Sequence, residues 1–338
     1  MENNKILYLS ESEVKSVLPY EKVLELVEVA LAEYNRGNAV NPVKLHLPIY
    51  PDYEGYINSM PAYLRKLEIA GVKVVSVYSK NMRNFQLPST LGLILLNDIK
   101  TGRPYAIMDG TYITACRTGA VMGVMAKYLA KGNSSSITII GTGAQGLASF
   151  IMIKLAIPTI REVRMVDLSA EAKENFQKKA TALFRDIHCI DVDSIPAACK
   201  DVDIVLAAAT SEEPLLADIN FSKGTTVLIV EEDITNAFAS KFDAFVADFK
   251  ECLVERVNDD AKHHCTLTGL PFEELRMDAV TAEIGDIIIG NTKGRTNDEE
   301  IIMAASVGMG VQDIINAQEA YSRALEKGIG TELAFLAE

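Results

Sequence analysis

Cysteine is scarce and unpatterned in this chain. The five residues, Cys116, Cys189, Cys199, Cys252 and Cys265, make no C-x-x-C pair and no disulfide-like spacing. Their odd count, mostly apolar neighbourhoods and the lack of a signal peptide predict a reducing cytoplasm rather than a disulfide scaffold. No cysteine has a motif-supported His partner, so thiol catalysis is not expected. Long hydrophobic runs are missing too: Gly, Gln or Lys interrupts each apolar stretch before the roughly 18 residues of a membrane helix. Positive charge is in short supply, with 33 Lys and Arg against 46 Asp and Glu. The net charge of −13 argues against nucleic acid or an anionic membrane as partner. There is no internal repeat or low-complexity tract. His263-His264-Cys265 suggests a metal site only superficially. Adjacent side chains rarely converge on one ion and no fourth ligand follows, so this stretch is expected to be a surface loop with no metal.

What is present fits a globular protein large enough for two domains: 338 residues, 49% hydrophobic and 23% charged. Ser10 or Ser12 suits the start of a short helix, and Tyr20 to Asn35 carries helical apolar spacing through Val23, Leu24, Val27, Ala30 and Leu31. Val43 to Leu64 reads as strands and turns punctuated by Pro48, Pro51 and Pro61. Strands are expected at Gly71–Tyr78, Gly92–Asn97 and Tyr105–Met108. A helix follows over 113–130, with Thr111 or Thr114 near its start and Gly132 past its end.

From residue 136 the rhythm becomes βαβ. Apolar, non-alternating strands at Ser136–Ile140, Val163–Asp167, Asp203–Ala209, Thr225–Val230 and Ala244–Asp248, with a helix over Ser169–Phe184, predict a parallel sheet covered on both faces. The fold class is therefore α/β: a Rossmann-like doubly wound sheet in mid-chain plus a discontinuous α+β domain built from both chain ends. Ser306 to Lys327 is the last helical region and returns to the N-terminal part. The expected boundaries are 1–115 with 312–338 for the discontinuous domain and 116–311 for the Rossmann-like one.

The first of these strands runs into Gly141-Thr142-Gly143-Ala144-Gln145-Gly146, a G-x-G-x-x-G turn. Gly141 permits the tight turn, Gly143 lets the backbone approach a pyrophosphate, and Gly146 lets the next helix pack close to the strand. That helix begins near Ala144, so its free N–H groups and positive dipole end suit phosphate. Asp167, ending the second strand, is placed to accept from an adenosine ribose and to repel a 2′-phosphate. Strand, turn, helix, strand and acid in this order predict dinucleotide binding, with NAD(H) preferred over NADP(H).

These motifs join others: Met60-Pro61-Ala62-Tyr63, Gly71-Val72-Lys73-Val74-Val75, Thr114-Ala115-Cys116-Arg117-Thr118-Gly119-Ala120, Gly294-Arg295-Thr296-Asn297, Ser306-Val307-Gly308 and Gly328-Ile329-Gly330-Thr331. Together the chain resembles the ornithine cyclodeaminase/mu-crystallin family over nearly its whole length. The resemblance implies a homodimer whose discontinuous domain binds substrate and forms the interface. It also implies hydride transfer at the α-carbon of a small amino or imino acid, by an amino-acid dehydrogenase or imine reductase. Two alternatives are an ornithine cyclodeaminase that recycles NAD and a crystallin-like nucleotide-binding protein with little turnover.

Lys73 sits among valines, where burial would desolvate its ammonium and lower its pKa. Arg117 is flanked by small residues that leave room for a bidentate grip on a carboxylate. The resemblance implies that Lys73 and Asp233 are the catalytic residues, Lys73 assisting proton transfer and Asp233 facing the substrate nitrogen, that Lys73, Arg117 and Lys44 bind the substrate carboxylate, and that Ser89 and Asn58 line the substrate. It implies cofactor contacts from Thr118, Thr142, Ala144, Gln145 and Thr210 besides the three glycines and Asp167. Four positions depart from the family pattern. Leu228 and Glu231 replace an Asn and a Gly near Asp233. Lys44 stands where Arg is common and cannot grip bidentately. Asn58 stands where ornithine cyclodeaminases carry Glu, and a neutral amide is a poorer partner for a second ammonium.

Overall fold

The computed structural model describes residues 4–50, 52–209, 211, 214–230, 234–268 and 273–336, with backbone alone at 260, 261 and 263–268. The chain divides into two compact units, Met1–Arg117 with Met309–Glu338, and Thr118–Gly308. The expected boundaries at 115/116 and 311/312 move by two and three residues, which puts Arg117 in the discontinuous unit.

The discontinuous unit is built on one mixed sheet. Its strand order is Thr331–Ala334, Lys5–Leu9, Pro104–Asp109, Thr90–Asn97, Ile69–Val77, Tyr56–Leu64 and Ala39–Val40, with Leu45–Pro48 also on Tyr56–Leu64. Pairing is antiparallel except between Lys5–Leu9 and Pro104–Asp109. Alternation along the central strands sends Met60, Ala62, Leu64, Val75, Ile94 and Leu96 to one buried face. Helices Gly310–Lys327 and Tyr20–Asn35 pack together on the same unit, the former against Tyr56–Leu64, Ile69–Val77 and Thr90–Asn97. Gly310 makes this close approach possible, since a Cβ there would lie 2.9 Å from the Met60 carbonyl oxygen. The two outermost strands on one side, Lys5–Leu9 and Thr331–Ala334, come from opposite ends of the chain and had no periodic signal of their own.

The contiguous unit is an all-parallel sheet in the order His188–Asp191, Glu162–Val166, Ser136–Ile140, Ile204–Ala207, Thr226–Ile229, Ile302–Ala305, Ala244–Ala247 and Ala282–Glu283. The order reverses between Ser136–Ile140 and Ile204–Ala207, the switch point at which doubly wound sheets bind ligands. Three strands go beyond the sequence expectation. His188–Asp191 is a partly exposed edge, Ala282–Glu283 is two residues long, and Ile302–Ala305 is half alanine. The last helix starts at Gly310 rather than Ser306 because residues 306–308 wrap a buried carboxylate. Asp248 accepts from Ser306 Oγ at 2.6 Å, Val307 N at 3.0 Å and Gly308 N at 2.9 Å. The Gly294–Asn297 motif is likewise structural. Arg295 donates to the carbonyls of Leu129 (2.7 Å), Asn297 (3.2 Å) and Glu300 (2.6 Å) and to Thr226 Oγ1 (3.0 Å).

His263-His264-Cys265 is not a loop. Helix Lys250–Thr268 runs through it, anchored at its start by buried Cys252, Leu253 and Val254.

Candidate active site

Strand Ile69–Val77 carries Lys73 toward the buried face, directly opposite Met60 on one neighbour and Ile94 on the other. Its side chain has 0% exposure, which for a lysine demands a partner. Nζ donates to Asp313 Oδ1 at 2.7 Å. Arg117, 6% exposed on helix Thr111–Leu129, donates its Nε to the same oxygen at 2.9 Å. Asp313 Oδ2 is buried with no hydrogen-bond partner among the described residues. Burial first, and then the neighbouring charges of Arg117 and Lys44, lower the Lys73 ammonium from the usual lysine range to about 7, against the upward pull of Asp313. Because Arg117 gives up Nε, the forked end of its guanidinium, Nη1 and Nη2, remains for a planar anion.

Asp313 is the residue that sequence reasoning missed. Helix Gly310–Lys327 buries Val311, Ile314, Ile315 and Ala317 around it, but also Gln312 and Asn316. An acid on the apolar face of the last helix was the available signal; its partners lie 240 and 196 residues away.

Asn58 faces the same side of the sheet as Lys73, one diagonal step away, because it pairs with Val75. It is buried and its Oδ1 accepts from His46 Nδ1 at 2.8 Å. Lys44, just before strand Leu45–Pro48, is half-buried and close enough to depress Lys73. Ser89 ends the turn into Thr90–Asn97, its carbonyl accepting from Tyr78 N at 2.8 Å. Asp233, Glu231 and Thr210 lie outside the described residues. Leu228 is a fully buried member of strand Thr226–Ile229.

In the contiguous unit the glycine turn has the geometry its spacing predicts. Gly141 adopts φ +88°, and a Cβ at Gly146 would lie 1.9 Å from the Gly141 carbonyl oxygen. Gly143 differs: a Cβ there would meet no atom of the described residues within 4 Å, so no contact among them requires glycine. It caps helix Ala144–Ala156, whose first turn has no side-chain cap. Exposed Ala144 and half-buried Gln145 follow, and Gln145 Nε2 donates to Ser149 Oγ at 3.2 Å. These free amides beside an open backbone suit a pyrophosphate. Asp167 is already engaged. Its Oδ2 accepts from Thr142 N (2.7 Å) and Thr142 Oγ1 (3.0 Å), and its Oδ1 from Ser169 N (2.9 Å). A carboxylate has about four lone-pair sites, so room is left for one further donor. Half-buried Thr118 precedes Gly119, where a Cβ would come within 2.7 Å of the Ala148 backbone.

A profile of the ornithine cyclodeaminase/mu-crystallin family matches residues 4–328. The chain belongs to this family. Among its curated members, the Δ1-pyrroline-2-carboxylate reductase of Bacillus cereus is 30% identical, covering 98% of this chain and all of the relative. A solved Δ1-pyrroline-2-carboxylate reductase from Thermococcus litoralis, in complex with NADH and L-proline, superposes with a TM-score of 0.86. It is 33% identical, covering 96% of this chain and 99% of the other. An archaeal alanine dehydrogenase dimer with bound NAD gives a TM-score of 0.85 at 28% identity, covering 98% and 100%. In this family member the discontinuous unit carries the buried Lys73–Arg117–Asp313 cluster and the contiguous unit the glycine turn.

Proposed function

We propose that this protein is an NAD(H)-dependent oxidoreductase acting at the α-carbon of a small amino or imino acid, and that a cyclic imine carboxylate such as Δ1-pyrroline-2-carboxylate is its substrate in the reducing direction. The observation that carries this reading is the buried Lys73–Arg117 pair sharing one Asp313 oxygen. Two cations against one anion leave a positive surplus in a dry setting, suited to a monoanionic carboxylate whose other end is neutral. Asn58 argues the same way: its amide is tied to His46, and no acid stands there to receive a second ammonium.

Gly143 and the first amides of helix Ala144–Ala156 would hold the pyrophosphate, with Asp167 at the adenosine ribose. The bound nicotinamide supplies or accepts the hydride. Reduction of an imine adds that hydride to carbon and a proton to nitrogen. Arg117 orients the carboxylate through its fork, and Lys73 and Lys44 add charge to the grip. Asp233, assigned from sequence alone, would polarise the nitrogen.

Following NADH oxidation with Δ1-pyrroline-2-carboxylate tests the reading. Lys73→Met should lower kcat/KM by roughly 100-fold or more while NADH fluorescence titration stays within twofold. Ammonia release from ornithine with no net NADH would make the protein a cyclodeaminase instead. NADH binding without turnover on any imino or amino acid would leave a nucleotide-binding protein.

The functional unit is proposed to be a homodimer. The sheet face opposite helix Gly310–Lys327 carries Val74, 44% exposed, paired in register with Leu93, 45% exposed. Leu45, at 70%, lies on the same four-stranded surface beside Ser59. A second copy of this chain would bury it.

A further inference from the structure

We propose that Asp313 is the positioning residue of the carboxylate site: by gathering Lys73 Nζ and Arg117 Nε on one oxygen, it fixes where two cations present their remaining donors. This rests on the reading that the pair binds a substrate carboxylate. The contacts are short, 2.7 and 2.9 Å, and all three side chains are buried. An ion pair serving stability alone would use both carboxylate oxygens, because a bare buried acceptor is costly. Here Oδ1 takes both cations and, among the described residues, Oδ2 takes none. Engagement through Nε is also selective. It anchors the guanidinium by its side and leaves the two Nη nitrogens, the edge that matches a carboxylate.

Asp313 sets charge as well as position. The charged groups facing Lys73 are Arg117 from helix Thr111–Leu129, Lys44 from the segment before Leu45–Pro48, and Asp313 from the last helix. Arg117 and Lys44 push the Lys73 proton off, and among the described residues Asp313 is the group holding it on. Neutralising Asp313 therefore moves the Lys73 titration further down, so the ammonium that grips a carboxylate is lost at lower pH.

The test compares wild type with Asp313→Asn, which keeps shape and removes charge, and with Ile314→Val. Ile314 packs on Gly71 of the Lys73 strand, so its variant is a control for simple destabilisation. With Δ1-pyrroline-2-carboxylate and NADH, Asp313→Asn should raise KM at least tenfold and leave NADH affinity within twofold. The alkaline limb of kcat/KM should move down by about one pH unit or more. Substrate titration is common to all three proteins and cancels. Ile314→Val should lower the melting temperature and move neither KM nor the limb. Equal KM and limb in Asp313→Asn and Ile314→Val overturn the proposal.

An activity-free readout separates this from the functional reading. In protein labelled with 13C at lysine Cε, the Lys73 resonance, identified by its loss in Lys73→Met, should titrate near neutrality and move down in Asp313→Asn. An unmoved midpoint overturns the role of Asp313 even if the enzyme turns over; a moved midpoint without turnover on any imine sinks the functional reading alone. Should Asp313→Asn not fold, L-proline added to wild type should raise the Lys73 midpoint, and no shift counts against the proposal.

Discussion

Asp167 shows how one carboxylate serves two masters. Three of its acceptor sites tie the glycine turn and the next helix together through Thr142 and Ser169, and one remains for a further donor, in our proposal a ribose hydroxyl. Asp167→Asn keeps an acceptor for Thr142 and removes the charge that repels a 2′-phosphate. The preference for NADH over NADPH, measured as the ratio of kcat/KM values, should fall about tenfold with little change in melting temperature. An unchanged ratio would show that the charge does not select the coenzyme. Residues such as Lys73, Arg117 and the three glycines are legible in sequence because each is conspicuous among its immediate neighbours. Asp313 is not, because its meaning comes from groups 240 and 196 residues distant. Its loss without a replacement would strand buried cations, a cost of about 3–5 kcal/mol for a broken buried pair.

At the scale of elements, close helix packing explains glycines that have no chemical role. Helix Thr111–Leu129 meets helix Ala144–Ala156 at Gly119, where any Cβ would sit 2.7 Å from the Ala148 carbonyl group. Gly119→Ala should destabilise the protein by about 1–3 kcal/mol, read as a lower urea midpoint, and should weaken NADH binding by shifting the helix behind the turn. A midpoint equal to wild type would mean the helices have slack. The start of the Arg117 helix is set by Asp109, whose Oδ1 accepts from Thr111 N and Tyr112 N at 3.0 and 3.1 Å, rather than by the threonines. Long periodic helices and strongly apolar strands are visible in sequence because burial writes the pattern. The strand Lys5–Leu9 is held between Pro104–Asp109 and Thr331–Ala334, the latter pairing, among the described residues, with it alone, and residues 263–265 continue a helix that starts on buried Cys252, Leu253 and Val254. Neither kind of cause is local.

At the scale of the whole molecule, the proposed homodimer is tested by charge placed on the exposed sheet face of the discontinuous unit. The net charge of −13 repels nonspecific association, so an apolar sheet face around Val74 and Leu93 needs a complementary partner. Val74→Glu with Leu93→Lys would not settle the matter, since opposite charges across a strand pair attract. Val74→Glu with Leu93→Glu should instead halve the mass seen by light scattering. A dimer that survives both acids places the interface elsewhere.

The sheet of the discontinuous unit begins with residues 5–9, yet its deepest ion pair waits for residue 313. A ribosome therefore exposes Lys73 and Arg117 long before their counter-charge emerges. The contiguous unit, complete by residue 308, is free to form first. The two cations stay hydrated until helix Gly310–Lys327 arrives with Asp313, which makes that helix the element that buries the pair during synthesis.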